Sequence, residues 1–417
     1  MEFSALEVSE AARADCADRI GMAKLAKMAF DGRDLRPKWA ELIAKLLSGT
    51  ADAGEGLDLS LIAQLLGDKQ AGLVIQQEVL HSHRLFRSPC ASKTPRLRVL
   101  ALAAATDMGS NTPIEFLLEE SGIELRTLFV IGEAELPMPL PEHDVAIVIA
   151  SDSEDCREAL AKIDAAVPGW PRPLLNPPRL VFSLDRDKLH RLLDGIDRLK
   201  IPATLVVTRD RLLAVVETPD ELADIAADLA FPVIIRPRGS HAGSGLAKIG
   251  DAGALAAYLE RHEDELFFIS RFVDYASEDR LFRKYRLVFI DGRAYACHMA
   301  IADRWDIWYL NAGMSQSAEK RLEEETWMRT FDIGFGRRHQ AALAGVADRI
   351  GLEYFTVDCA ETRDGLLLIF EADNTAVVHN MDHAHIFPYK PPQMRKIFAA
   401  FAAMLERRVE EKRERAA

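Results

Sequence analysis

The sequence predicts a mixed fold: an all-helical segment, then a small parallel α/β domain, then a larger α+β block. Three observations carry this. Residues 1–90 show apolar side chains at helical spacing only. From Arg96, short apolar runs alternate with helical stretches, the pattern of parallel strands joined by helices. Beyond residue 180, apolar runs come in pairs joined by turn residues, as antiparallel hairpins do. The expected boundaries are a helical N-terminal module over 1–90, the α/β domain over 96–180, and an α+β block of two subdomains over 181–417.

In the first segment Leu42, Ile43, Leu46 and Leu47, and again Leu61, Ile62, Leu65 and Leu66, recur three or four residues apart and share one helix face. Residues 50–56 are loop material. No strand pattern interrupts the segment, and Ser88–Pro95 reads as a linker because its prolines cannot continue a helix. Leu97–Ala105, Leu125–Ile131 and Val145–Ala150 read as strands. Thr112-Pro113-Ile114-Glu115 has the spacing of a capping box opening a helix, and Ser153–Ala166 is a second helix.

After the proline-rich stretch Pro168–Pro178, helices are expected over Leu184–Leu193 and Thr218–Leu229. The latter opens on another box, Thr218-Pro219-Asp220-Glu221. Pro232–Arg236 reads as a strand. Tyr285–Ile290 and Arg293–Ile301 form a hairpin turned by Asp291-Gly292, since Asp-Gly supplies the positive φ of a two-residue turn. Tyr354–Ala360 and Leu366–Glu371 form a second hairpin, and Arg395–Arg415 is a terminal helix.

Composition narrows the function. The chain of 417 residues carries 52 Lys+Arg against 65 Asp+Glu, a net charge of −13, which argues against non-specific nucleic-acid binding. Five scattered cysteines with no C-x-x-C spacing favour reduced thiols. The start, MEFSALEVSEAARAD, lacks an apolar core, and the longest apolar run is too short to span a bilayer. A cytoplasmic protein with no membrane partner is therefore expected.

Two stretches could carry chemistry. In Phe231–Ile249 an apolar strand ends on Arg236 and enters a loop with Gly239, Gly243 and Gly245 before a second strand. Glycines let backbone N–H groups approach phosphate oxygens, so a flap closing over a triphosphate and an ordinary flexible hairpin are equally compatible with it. Near the C-terminus, Asp358 and Glu371 are expected at the ends of paired strands, with Asp373 and Asn374 following. Hard oxygen ligands of this kind suit Mg²⁺, which combines one or two carboxylates with substrate phosphates. Taken alone, such acids are more often a solvent-facing pair.

The order of these pieces resembles the ATP-grasp superfamily of carboxylate–amine ligases over roughly residues 96–390. The resemblance rests on Arg186-Asp187-Lys188, the P-V-I-I-cation-P strand with its glycine loop, Phe267–Val273, Tyr285-Arg286, and Asp358 with Glu371-x-Asp373. It implies an ATP-grasp fold behind a pre-grasp α/β domain, with ATP and Mg²⁺ as cofactors. It implies Lys188 and Arg236 on the ATP phosphates, under a mobile cover formed by Gly239, Ser240, His241, Gly243, Ser244 and Gly245. Phe272 and Val273 would offer backbone groups to the adenine, Arg286 would meet the γ-phosphate or acyl phosphate, and Asp358, Glu371 and Asp373 or Asn374 would hold Mg²⁺. Three positions depart from the family pattern: Arg236 stands for a lysine, Arg271 for an acidic residue, and Asp373 for an asparagine.

Two other clusters are open to more than one role. His298, Trp305, Trp308 and Tyr309 read mostly as core filling, and His379, His383 and His385 as pocket or hydrogen-bonding residues rather than a zinc site. The activity expected is ADP-forming ligation of a carboxylate to an amine through an acyl phosphate. The alternatives are an ATP-binding scaffold without ligase activity and a peptide-modifying ligase. Residues 1–90 would then pack on the body, dock a partner or leader segment, or form a homodimer.

Overall fold

The computed structural model describes residues 16–132, 134–240 and 243–416. These divide into two compact units. The first holds the residues up to Val181 with Leu352–Phe355 and the segment from Asn374, and the second holds Phe182–Gly351 with Thr356–Asp373.

The first unit is built on six strands: β1 (Ala17–Asp18), β2 (Leu85–Arg87), β3 (Arg98–Ala104), β4 (Glu124–Val130), β5 (Val145–Val148) and β6 (Leu174–Leu175), ordered β1-β2-β4-β3-β5-β6. The pairs β4/β3, β3/β5 and β5/β6 are parallel, as the strand–helix alternation requires. Central β3 is buried at nearly every position, the run expected of a strand covered on both faces. Four helices, α1 (Met22–Phe30), α2 (Arg36–Leu47), α3 (Ala53–Leu65) and α4 (Lys69–Ser82), precede it. The Asp52 carboxylate accepts from the Glu55 N–H in a formed capping box that starts α3.

Residues 1–90 were expected as helices alone, and the structure corrects this. β1 and β2 join the sheet of the following domain, β1 parallel to β2 and β2 antiparallel to β4. Strands of two and three residues are too short to leave a period in the sequence; the sheet edge recruits them. Residues from Asn374, expected with the α+β block, fall in the first unit, where the terminal helix Lys390–Ala416 also lies.

Neither of the two later capping boxes forms. The Thr112 hydroxyl donates instead to the carbonyls of Ile149 and Asn374, and the Glu115 carboxylate accepts from the Ala23 N–H and the Ser88 hydroxyl. Only a short 3₁₀ turn, Phe116–Leu118, follows. Thr218 closes the helix Arg209–Glu217, and the next helix is only Glu221–Ile225. Tertiary partners for the threonine and glutamate side chains outcompeted the local cap in the first case.

In the second unit the helix Arg186–Leu193 leads to β7 (Leu199–Lys200), β8 (Thr204–Thr208), β9 (Val233–Pro237), β10 (Ala247–Ile249), β11 (Leu266–Arg271), β12 (Phe282–Ile290), β13 (Arg293–Ala302), β14 (Tyr354–Glu361) and β15 (Leu367–Asp373). One sheet is ordered β10-β9-β11-β8 with every pairing antiparallel. The other is ordered β13-β12-β14-β15-β7, with antiparallel hairpins β12/β13 and β14/β15. Asp291 and Gly292 take positive φ, as the two-residue turn requires.

Alternation along the strands decides which side chains remain for function. Val233 and Ile235 of β9 and Phe267 and Ile269 of β11 enter a core with Leu212, Leu255 and Tyr258. Arg236 and Phe268, directly opposed in the ladder, therefore share the other face.

Candidate functional site

The site is assembled from residues of the second unit. Asp358 and Glu371 are register partners on β14 and β15, so their side chains lie on one face. Both sit inside their strands rather than at the ends where the sequence placed them. Lys284 and Arg286, two apart on neighbouring β12, share a face in the same way. Arg286 grips Asp358 through two parallel bonds, Nε to Oδ1 at 2.7 Å and Nη2 to Oδ2 at 3.0 Å. Lys284 Nζ adds a contact to Oδ2 at 2.8 Å. The bidentate fork fixes the plane of the carboxylate as well as its charge.

Each hairpin carries an irregularity beside this cluster. The β12/β13 register shifts between Arg286 and Leu287, and the β14/β15 register shifts between Asp358 and Cys359. A bulge adds local twist and re-aims the adjacent side chain, and such features gather at functional sites.

Two further cations complete the cluster. Arg186, at the start of its helix, donates through Nη2 to Glu371 Oε2 and lies over the Phe268 ring, 5.9 Å from its centroid. It thereby joins the sheet of β15 to the sheet of β11. Arg236 is 8% exposed and faces the charges of Arg186 and Glu371. Its Nε donates to Ser240 Oγ at 2.9 Å, and its Nη2 donates to the Ser240 carbonyl. The cation at the end of β9 thus anchors the first residues of the glycine loop.

The electrostatics follow from this packing. Burial would raise the Asp358 carboxyl, but the charges and hydrogen bonds of Arg286 and Lys284 outweigh it and hold the group well below the usual carboxylate range. Burial likewise opposes the ionised form of Glu371, and the Arg186 guanidinium overcomes it, so this acid too is held low. Burial, reinforced by Arg186, lowers Arg236 to about 10. Four cations thus surround the Asp358–Glu371 pair.

The remaining expected residues are placed as follows. Asp373 is next but one to Glu371 and shares its face. Asn374 lies beyond the strand, where its side-chain amide donates to the Ala150 carbonyl at 2.9 Å within the first unit; it is not part of the cluster. Lys188, expected on the ATP phosphates, is exposed and donates to the Phe182 carbonyl at 3.0 Å, while Arg186 of the same helix pairs with Glu371. Gly239, Gly243 and Gly245 all have positive φ, and Ser244 lies between the last two. Gly245 is confined: a Cβ there would lie 2.5 Å from Pro237 Cδ. His241 lies outside the described residues.

At the end of β11 the Phe272 N–H donates to the Pro232 carbonyl, and Lys248 Nζ of β10 sits 3.6 Å from the centre of the Phe272 ring. Val273 packs beside Tyr275 and Trp305. Trp308, expected as core, is 54% exposed, because it belongs to the irregular segment after β13. His298 opposes Arg286 across the hairpin and packs on Tyr309. His379, His383 and His385 lie in irregular backbone of the first unit, not on a helix.

Lys284 and Arg186 are the functional candidates that sequence reasoning gave no role. The signal for Lys284 was present: it stands two residues before Arg286 on a strand, the spacing that puts two side chains on one face.

None of the five cysteines is in a disulfide. Among the described residues no helix is long and apolar enough to cross a membrane, and no three His, Cys, Asp or Glu side chains form a metal cage.

No family model matches the chain, and no curated protein matches it either. Among solved structures it is similar to a RimK domain ATP-grasp protein of Sphaerobacter thermophilus, at 17% identity and a TM-score of 0.45 over 74% of this chain and 99% of that one. It is similar to the VanG D-Ala:D-Ser ligase of Enterococcus faecalis, at 12% identity and a TM-score of 0.46 over 76% of this chain and 99% of that one. It is also similar to a D-alanine–D-alanine ligase of Bacillus anthracis solved with ATP, at 12% identity and a TM-score of 0.44 over 76% and 99%. All three likenesses are distant. The chain itself combines a parallel α/β unit, an antiparallel sheet with a glycine-bearing loop between β9 and β10, and a sheet pairing acids with cations.

Proposed function

We propose that the protein is an ATP-dependent ligase that activates a carboxylate as an acyl phosphate and joins it to an amine, releasing ADP and phosphate. The observation that carries this is the convergence of Arg186, Arg236, Lys284 and Arg286 on the register-opposed pair Asp358 and Glu371. A protein gains little by burying so many like charges unless an anion of high charge completes them.

The acids suit Mg²⁺ in kind. Two ionised carboxylates on adjacent strands, with Asp373 on the same face, provide hard oxygens, and a cation bound there would draw its other ligands from phosphates and water. Bound, the ion supplies charge neutralisation across the phosphates. The chain's own residues do the rest. Arg236 and Arg186 hold phosphate oxygens, and Arg286 steadies the group being transferred. Lys284 keeps Asp358 ionised and oriented. The loop from Gly239 to Gly245 closes the site to water, which an acyl phosphate requires because it hydrolyses.

A second reading is a nucleotide-binding scaffold without ligation. What favours it is that Asp358 is already satisfied by two cations and Glu371 by one.

One experiment separates the two: ADP release over a panel of carboxylic acids, with hydroxylamine present to trap an activated acyl group. The ligase reading expects acid-dependent ADP and a hydroxamate. Nucleotide binding with no ADP release on any acid sinks it. Glu371→Gln should cut the rate on the order of 10²–10³-fold while the melting curve still shows a folded protein; turnover near the wild-type rate would remove Glu371 from the site.

A further inference from the structure

A polar side chain on the face of the charged cluster has no part in the nucleotide chemistry. His298 of β13 is the register partner of Arg286, and Arg286 grips Asp358, the register partner of Glu371. His298, Arg286, Asp358 and Glu371 thus form a row on one face of the consecutive strands β13, β12, β14 and β15. Neighbouring strands run about 4.8 Å apart, which puts the His298 backbone one strand beyond Arg286 and about 10 Å from the strand of Asp358.

The β12/β13 ladder steps from the Leu287–Ala296 pair to the Arg286–His298 pair, so Cys297 is an extra residue. Without that bulge the cysteine would oppose Arg286. With it the histidine does, and bulges re-aim side chains in this way beside active sites. The imidazole is half-buried and packs on the Tyr309 ring, their centroids 4.7 Å apart. The Tyr309 hydroxyl donates to Glu324 Oε2 at 3.4 Å, and Oε1 of this wholly buried carboxylate accepts from the Met299 N–H at 3.0 Å. One carboxylate thereby fixes both the ring against His298 and the backbone beside it. A proton acceptor works only when it is held in place in this manner.

We propose that His298 is the general base that deprotonates the incoming amine, a role that rests on the ligase reading above. An alkylamine is protonated at neutral pH, as the lysine ammonium is, and then has no lone pair to attack with. The acids lie on one side of Arg286 and His298 on the other, so the amine reaches the acyl carbon from the His298 side. The imidazole takes one proton from the ammonium, and the lone pair so released forms the C–N bond. The C–O bond to phosphate breaks with its electron pair on the phosphate, which leaves carrying the second proton that the amide nitrogen sheds.

The test gives the full chain methylamine or hydroxylamine as acceptor, with an acid that supports ADP release. The two match in size, but methylamine is a cation at neutral pH and hydroxylamine is not, so only methylamine needs the base. His298→Gln should lower the ratio of N-methylamide to hydroxamate by about 10²-fold, and imidazole added to His298→Ala should restore part of that ratio. A packing role would lower both products together and would not respond to imidazole. The proposal alone is overturned if the wild type makes hydroxamate but no methylamide, if the ratio is the same in wild type and variants, or if imidazole restores nothing. If the wild type makes no hydroxamate on any acid, the ligase reading fails and this one falls with it.

Discussion

Asp358 is held by two cations while only 3% of its side chain is exposed. Asp358→Asn would leave Arg286 and Lys284 partly buried without their counter-charge, a change that typically costs about 3–5 kcal/mol. Chemical denaturation should show that loss, and a variant as stable as wild type would mean the cations relax into solvent. Glu361, further along β14, allows a cleaner pH test. Burial opposes its charge, but the His339 and Arg338 partners lower it from 4.5 to about 2. A folded-state value below the unfolded one adds stability above about 4.5, which is lost as pH falls through the interval towards 2. The urea midpoint should therefore drop between about pH 5 and about pH 3 more steeply in wild type than in Glu361→Gln; equal slopes would remove Glu361 from the acid response. Arg236, Arg286, Asp358 and Glu371, each expected as a site residue from the sequence, are found together. That Arg186 reaches Glu371 was not legible in the sequence, because it does not reveal the phase of the helix. Two residues along a helix turn a side chain through about 200°, so only one of them can face Glu371.

The glycine loop shows what an element adds to its residues. A strand, a flexible loop and a returning strand were readable from composition, and β9 and β10 pair as that reading requires. Which glycine is indispensable was not readable. A Cβ added at Gly239 or Gly243 would meet nothing within 4 Å among the described residues, whereas Gly245 is pressed against Pro237 and offers its carbonyl to the Tyr258 hydroxyl. Gly239→Ala should cost only the left-handed penalty of about 1–2 kcal/mol. Gly245→Ala should cost more and weaken ATP binding, as measured by melting and titration calorimetry. If the two variants behave alike, the Pro237 contact is not what shapes the flap. The two capping boxes that failed to form teach the same lesson in reverse. Thr112 and Glu115 found long-range partners in Ile149, Asn374, Ala23 and Ser88, and a local motif has no means of announcing such competitors.

At the scale of the whole molecule, the N-terminal segment is not an appendage. Phe86 of β2 is wholly buried and meets Phe129 of β4 edge-on at 5.8 Å, and the Glu115 carboxylate caps the backbone at Ala23. A chain beginning at residue 91 would expose β4 as a bare sheet edge and strip the cover from the apolar face beneath α3, both of which favour aggregation. Such a truncation should be insoluble or melt well below the full chain; a soluble, equally stable product would mean that residues 1–90 form a separable module after all.

The pattern of apolar residues was enough to predict β3, β4, β5, β9 and both long hairpins, and so to put Arg286, Asp358 and Glu371 on paired strands, because side-chain direction in a strand follows sequence parity. Tertiary structure alone decided that Arg186 reaches Glu371, that β1 and β2 complete a sheet begun elsewhere, and that Asn374 serves the first unit. Those outcomes depend on contacts between segments far apart in the chain, and local periodicity carries no information about which distant surface a side chain will meet.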